Sequence, residues 1–121
     1  MSDYTPRHTP GTAVTFSASA DVTGGRLVLA SGAKTVAPAT LDAANVVGVA
    51  GFDVKSGDPV TVFPRPTGVH ALVAGGAIAA GAKVVAGAAG KVVTIGSNTN
   101  PIGIALEAAA ADLDVIDVLF I

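Results

Sequence analysis

Apolar and polar residues alternate in short bursts along this chain, and breaks rich in glycine and proline separate the bursts. Val14 and Phe16 alternate with Thr15 and Ser17, Gly24-Gly25 marks a turn before Arg26-Leu27-Val28-Leu29, and Ser31-Gly32 turns again before Val46 to Val49. Lys55-Ser56-Gly57-Asp58 is a polar turn ahead of Val60-Thr61-Val62-Phe63, and Pro64-Arg65-Pro66-Thr67-Gly68 closes that unit. Val69 to Val73, Lys83 to Ala86, Lys91 to Ile95, Ile102 to Leu106 and Val115 to Phe120 are the remaining candidate strands. Short β-branched runs with turn residues about every eight to twelve positions predict an all-β fold, a small barrel or sandwich. Ala77 to Ala82 contains Gly81 and lacks caps, so it is expected to be loop. Glu107 to Ala111 has helix propensity for a turn or so, which sets the expected helix content at one or two short turns.

The two halves resemble each other. Gly25-Arg26-Leu27-Val28-Leu29-Ala30 matches Gly81-Ala82-Lys83-Val84-Val85-Ala86, Val47-Gly48-Val49-Ala50 matches Ile102-Gly103-Ile104-Ala105 at an offset of 55, and Val60 to Phe63 matches Asp117 to Phe120 at an offset of 57. Two copies are too few for a solenoid, so a pseudo-duplicated β-barrel is expected, with chance likeness in a chain holding 24 Ala, 18 Val and 15 Gly as the competing explanation. Glycine inside a strand weakens pairing, so Gly48 and Gly103 predict bulges, bends or close backbone approach.

Residues 1–12 differ from the rest. They carry Tyr4, Thr5, Pro6, Arg7, His8, Thr9 and Pro10 without apolar periodicity, and proline blocks both helix and central strand. They read as an extended N-terminal arm, either frayed or ordered on a partner; residues 13–121 read as one β domain, which suits a length of 121 residues.

Charged residues are 13% of the chain and mean hydropathy is +0.64, against about 25% charged in ordinary soluble domains. That apolar excess predicts an oligomer or a protein docked on something larger. The absence of cysteine excludes a disulfide scaffold, a thiol enzyme and a Cys-ligated zinc site. Net charge is −2 and the seven Lys and Arg are scattered, so no basic stripe for direct nucleic-acid binding is expected. Met1-Ser2-Asp3-Tyr4 lacks the basic start of a signal peptide. The longest uncharged stretch, from Pro66 to Ala82, is broken by four glycines and is short for a membrane span.

Candidate chemistry is sparse. His8 and His70 are 62 positions apart, with no metal-ligand spacing. Asp112, Asp114 and Asp117 lie beside Glu107, with Asp112 and Asp114 expected on one strand face; solvated carboxylates fit them better than a metal site. Ser17, Ser19, Ser31, Ser56 and Ser97 sit in turn contexts, and none is in a strand-to-helix elbow. Lys34 and Lys91 follow glycine turns without the flanking Met of a swinging-arm carrier. Phe16, Phe63 and Phe120 fall at core-like strand positions. No catalytic group, metal or cofactor is expected.

Ser56-Gly57-Asp58-Pro59-Val60, Gly68-Val69-His70-Ala71-Leu72 leading to Ile78-Ala79-Ala80-Gly81-Ala82-Lys83-Val84, and Ile102-Gly103-Ile104-Ala105-Leu106-Glu107-Ala108-Ala109-Ala110-Ala111 together resemble the capsid cement, or head decoration, proteins of tailed phages. The resemblance runs from Thr12 to Ile121, and Ala82-Lys83 departs from the Asp-Pro that members often carry. It implies a structural virion protein, not an enzyme, that binds the major capsid protein on the outer surface of the head. It further implies a homotrimer at subunit junctions that holds the shell against the pressure of packed DNA, made in the host cytoplasm. It implies that the arm, Tyr4 to Pro10, adds a strand to or straps across a capsid subunit, with no nucleic acid and no membrane as partner. The alternative is a virion-surface module that recognises a glycan or host receptor.

Overall fold

The computed structural model describes residues 12–65 and 68–121. Its first half holds strands β1 (Val14–Ala18), β2 (Leu27–Gly32), β3 (Thr35–Pro38), β4 (Val46–Ala50) and β5 (Pro59–Pro64). The second holds β6 (Val69–Val73), β7 (Lys83–Ala86), β8 (Val92–Thr94), β9 (Gly103–Ala105) and β10 (Val115–Phe120). One 3-10 turn, Ala88–Gly90, is the helical content among the described residues. The fold is all-β, as the strand-length bursts predict.

In the first half the strands close into a barrel in the order β1-β3-β2-β4-β5, with β5 pairing antiparallel to β1 and β3 pairing parallel to it. The second sheet runs β6-β10-β9-β7-β8, the same cyclic order with each strand replaced by its counterpart. Barrel one closes through Ser17↔Thr35 and Ala18↔Val36. The parallel bridge Ala74↔Val92 stands 56 residues on from the latter and draws the second sheet toward the same closure.

The duplication is therefore real, and it keeps an offset of 56 through most of its length. Ala18 N donates to Asp58 O at 2.9 Å and Ala74 N to Asp114 O at 2.7 Å; Gly57 N donates to Ala18 O at 2.7 Å and Leu113 N to Ala74 O at 2.8 Å. The offset of 57 for the last strand is corrected to 56: Val60 corresponds to Ile116 and Val62 to Val118, all buried, whereas 57 would set buried Val60 against exposed Asp117. A one-residue slip exchanges the two faces of a strand, so burial fixes the register.

Glu107 to Ala111 forms bends and an isolated bridge from Ala109 to Ile78 rather than a helical turn, and three other expectations need revision. Ser31-Gly32 is no turn but the end of β2, where the register shifts between Ala30 and Gly32; the chain reverses instead at Ala33-Lys34, with Lys34 left-handed at φ 55°. Thr35 to Pro38, too short and mixed to stand out as a burst, forms β3 beside both β1 and β2. Asp112 and Asp114 lie in the turn before β10 rather than on a strand face. The departure at Ala82-Lys83 leaves the second-half hairpin intact, since Lys83 opens β7, which pairs with β8 and β9.

Both strand glycines mark close backbone approach. A Cβ on Gly48 would overlap the Phe63 carbonyl, and one on Gly103 would lie 2.6 Å from the Leu119 carbonyl oxygen. Beside Gly48 the β2–β4 register jumps from Val28↔Gly48 to Leu29↔Val46, leaving Val47 as an extra residue.

That bulge divides the core. Val28, Val36, Ala50, Val60 and Val62 fill the inside of barrel one together with Ala18, Val22 and half-buried Phe16. Leu27, Val46 and Val49 point out of it and join the second core, among Leu72, Ile78, Val84, Val92, Ile102, Ile116, Val118 and Phe120. The Leu27, Val46 and Val49 part of the first module's outer side is thus capped by the second, while Phe63, the next partner of Val49, stays exposed. Asp42 locks the joint: its N–H donates to Ala86 O (2.8 Å), its carboxylate accepts the N–H groups of Thr99 (3.2 Å) and Asn100 (2.9 Å), and its carbonyl accepts Asn100 Nδ2 (3.0 Å). Arg65 adds Nη1 to Val46 O and Nη2 to Ile121 O, each at 3.3 Å.

Asp42→Ala removes the carboxylate acceptor and leaves a left-handed φ of 54° to a residue that disfavours it, so urea unfolding should show a loss of about 2 kcal/mol. Asp42→Asn, which keeps an acceptor oxygen and tolerates that φ, should lose less than half as much. Gly48→Ala should cost at least about 2 kcal/mol in the same assay, because backbone rather than a movable side chain occupies the space.

Candidate docking surface

Three of the four carboxylates that sequence singles out are engaged with backbone or with lysine, and the fourth, Asp117, is exposed on β10. Glu107 Oε1 accepts the Asp117 N–H at 2.8 Å, Asp114 Oδ2 accepts Ala110 N at 2.8 Å and Ala111 N at 3.1 Å, and Asp112 meets Lys91 Nζ at 3.0 Å. They brace the loop into β10 one by one, and the described residues contain no group of three His, Cys, Asp or Glu able to hold a metal. His70 is half-buried, its ring 4.9 Å from that of Phe120 and 6.5 Å from that of Phe63, a packed position rather than a ligating one. Lys34 lies at the exposed β2–β3 hairpin tip. Ser19 and Ser31 share a hydroxyl hydrogen bond of 2.6 Å, and Ser56 Oγ donates to Ser19 O, so these hydroxyls tie turns together.

Two depressions lie on the first module. One of about 180 Å³, between Asp21, Arg26, Pro38 and Ala89, is smaller than the roughly 300 Å³ at which small-molecule sites begin. The other, of about 490 Å³, is an open groove beside Asp21, Asp53 and Lys55. Asp21 accepts Ser56 N at 3.0 Å and Asp53 accepts Gly24 N at 2.8 Å. The Ser56 hydrogen bond, and then the Lys55 charge, hold the Asp21 carboxyl below its ordinary range. These groups stabilise turns.

What the second module does present is an apolar sheet face. In β6 and β10 the inward side is Leu72, Ile116, Val118 and Phe120, and the outward side is Val69, Ala71, Val73, Val115, Asp117 and Leu119. Direct cross-strand partners share a face, so Val69↔Leu119, Leu119↔Ile104 and Val73↔Val115 form rows with Asp117 at the centre. Val115 is 62% exposed. At the turn into β10, Leu113 is 58% exposed and left-handed at φ 74°, where the first module has Gly57 at φ 94°. The matching outward side of barrel one reads Thr15, Ser17, Pro59, Thr61 and Phe63. Sequence reasoning placed Phe63 in the core, whereas its ring is exposed because strand alternation points it out of the barrel. Sequence also gave no sign of the apolar face itself, because alternation between two apolar sides looks like a continuous run. The arm residues Tyr4 to Pro10 lie outside the described residues.

The described residues thus form two small β modules whose carboxylates brace turns and whose second sheet bears an apolar outer face. The profile of the phage cement protein family matches residues 8–120, so this chain belongs to that family, whose members are structural proteins associated with the phage capsid. The fold is similar to that of the N base of head fiber gp8.5 in bacteriophage phi29, with a TM-score of 0.74 and 23% identity, covering 91% of this chain and 93% of that one. No curated protein matches the chain.

Leu113→Gly restores the residue that the turn conformation favours, so thermal unfolding of the isolated chain should show a gain of about 1 kcal/mol.

Proposed function

We propose that this protein is a cement that binds the major capsid protein on the outer surface of the phage head, as a trimer at subunit junctions, and stiffens the shell against packed DNA. The family match over residues 8–120 carries this reading. Support comes from the bracing role of the polar groups described above and from a mean hydropathy of +0.64 that asks for cover.

Clamping requires no turnover. Each copy contributes a modest contact to subunits on either side of a seam, and many copies on one shell act together through effective concentration. In this account residues 1–12 are the arm beside the single β domain of residues 13–121, and Tyr4 to Pro10 strap across a capsid subunit or add a strand to its edge. The chain is made in the host cytoplasm with the other head proteins and ends up on the virion exterior.

Co-sedimentation with purified expanded shells tests both parts. The full chain should pellet with shells, and shells carrying it should release DNA at a higher temperature than bare ones. Deleting Met1 to Gly11 should leave circular dichroism and Tm unchanged while weakening shell binding at least tenfold. Undiminished binding would remove the arm from the account, and failure of the full chain to bind would remove the cement function.

A further inference from the structure

The duplication closes one module and leaves the other open along one strand. Barrel one closes where Ser17 N donates to Lys34 O at 3.0 Å and Ser19 N to Val36 O at 2.8 Å. In the second sheet Gly75 N donates to Val92 O at 2.7 Å, in the place of the latter bond, while a counterpart of the former is missing among the described residues. The hairpin that would supply it leans on the first module instead: Gly90 N donates to Ala39 O at 2.9 Å, and a Cβ on Gly90 would lie 2.5 Å from the Leu27 carbonyl oxygen. β6 therefore stands at the end of its sheet. Phe120 N donates to Gly68 O and Ala74 N to Asp114 O, so His70 and Leu72 likewise turn their backbone groups to β10, and Val69, Ala71 and Val73 turn theirs to the open side. An unpaired edge of this kind invites a strand.

We infer that residues 1–11 of the same chain lie along this edge as a further, antiparallel strand of the second sheet, with Arg7 beside Ala71. The place where they join the fold is the first reason. Val14 lies opposite Val62 in the β1–β5 ladder, so the chain runs back from there past Phe63, whose ring is 6.5 Å from that of His70 on β6. Eleven extended residues reach about 36 Å, twice the roughly 17 Å of a five-residue strand such as β6.

The prolines are the second reason. Pro6 and Pro10 stand four positions apart, so in a strand both point their missing donor to the same side. Thr5, Arg7 and Thr9 then present an unbroken set of N–H and C=O groups to the other side, as a strand that pairs along one edge only requires. Pairing these three with Val73, Ala71 and Val69 sets Pro6 and Pro10 opposite Leu72 and Gly68, whose own backbone groups are committed to β10, and no ladder bond is lost.

The third reason is charge. Opposite residues share a face, so Arg7 joins the outer face on the row that already pairs Ala71 with Asp117. Asp117 is exposed among Leu106, Leu119 and Val115, and no ion pair among the described residues engages it. Two strand spacings, about 10 Å, separate the two backbones, a gap that an arginine side chain closes by lying across the small Ala71. Tyr4, Pro6, His8 and Pro10 fall on the opposite side, that of Leu72 and the second core. The pairing frays below the global transition, as terminal strands do, so amide exchange reads it and Tm does not. The inference takes from the strap reading above only what releases the strand: a capsid edge competes with β6 for the same backbone groups.

Amide hydrogen exchange of the isolated chain at room temperature tests it without shells, so its failure leaves the cement function untouched and the reverse also holds. Exchange at Val69, Ala71 and Val73 should be about tenfold slower in the full chain than in the chain lacking Met1 to Gly11. Thr9→Pro, which places a proline on the pairing side, should abolish that protection, and His8→Pro, on the side of the existing prolines, should keep it. Arg7→Asp and Asp117→Arg should each lower protection about threefold, and the two together should restore it. Isotope-labelled chain lacking Met1 to Gly11, refolded with unlabelled full chain, should stay unprotected. Equal exchange with and without residues 1–11, equal effects of the two proline variants, or no recovery in the double reversal overturns the inference. Protection of the labelled chain also overturns it, because the strand would then come from another copy.

Discussion

The packing of Leu27, Val46 and Val49 against the second core is the contact on which the rest of this structure depends. The inside of each module is lined by Val, Ala, Ile and Leu, with phenylalanine only at Phe16 and Phe120, and small side chains bury little area apiece. Neither core is large for a fold that must offset the ordering of its strands and turns. Sharing the outer row of one module with the interior of the other lets a single apolar layer serve both. The bulge at Val47 makes this possible, because it turns Val46 and Val49 outward while Val47 and Ala50 stay with the first core.

Thin cores also explain how the polar residues are used. Loops between short strands leave many backbone N–H groups without a ladder partner, and buried or half-buried donors need one. Asp42, Asp53, Asp21, Asp114 and Glu107 each accept at least one such N–H. A carboxylate committed in this way is poorly placed to act as a general base or to join a metal site. Arg65 serves the same end from the donor side: partial burial lowers its pKa, its two Nη groups reach carbonyls, and its Nε makes no hydrogen bond among the described residues.

Much of the architecture was legible in the chain. Val14 to Ser17, Val60 to Phe63 and Val115 to Phe120 announce half-buried strands by their period, and the matched Gly48 and Gly103 announce a duplication and the close approaches it contains. What escaped did so for identifiable reasons. Thr35 to Pro38 is held as a strand by neighbours on both sides rather than by its own pattern. The offset of the last strand depends on burial, which apolar likeness alone cannot fix when Val60, Val62, Val118 and Leu119 all look alike. The outer face of β6 and β10 was hidden for the same reason: Val69 and Val73 resemble core residues until Leu72 is seen pointing the other way. Family resemblance carried the functional reading.

The joint between the modules bears on how the chain comes apart. Leu27, Val46 and Val49 of the first module sit in one core with Leu72, Ile102 and Ile116 of the second, so neither module can open without baring apolar surface on the other, and the two melt as a single cooperative unit.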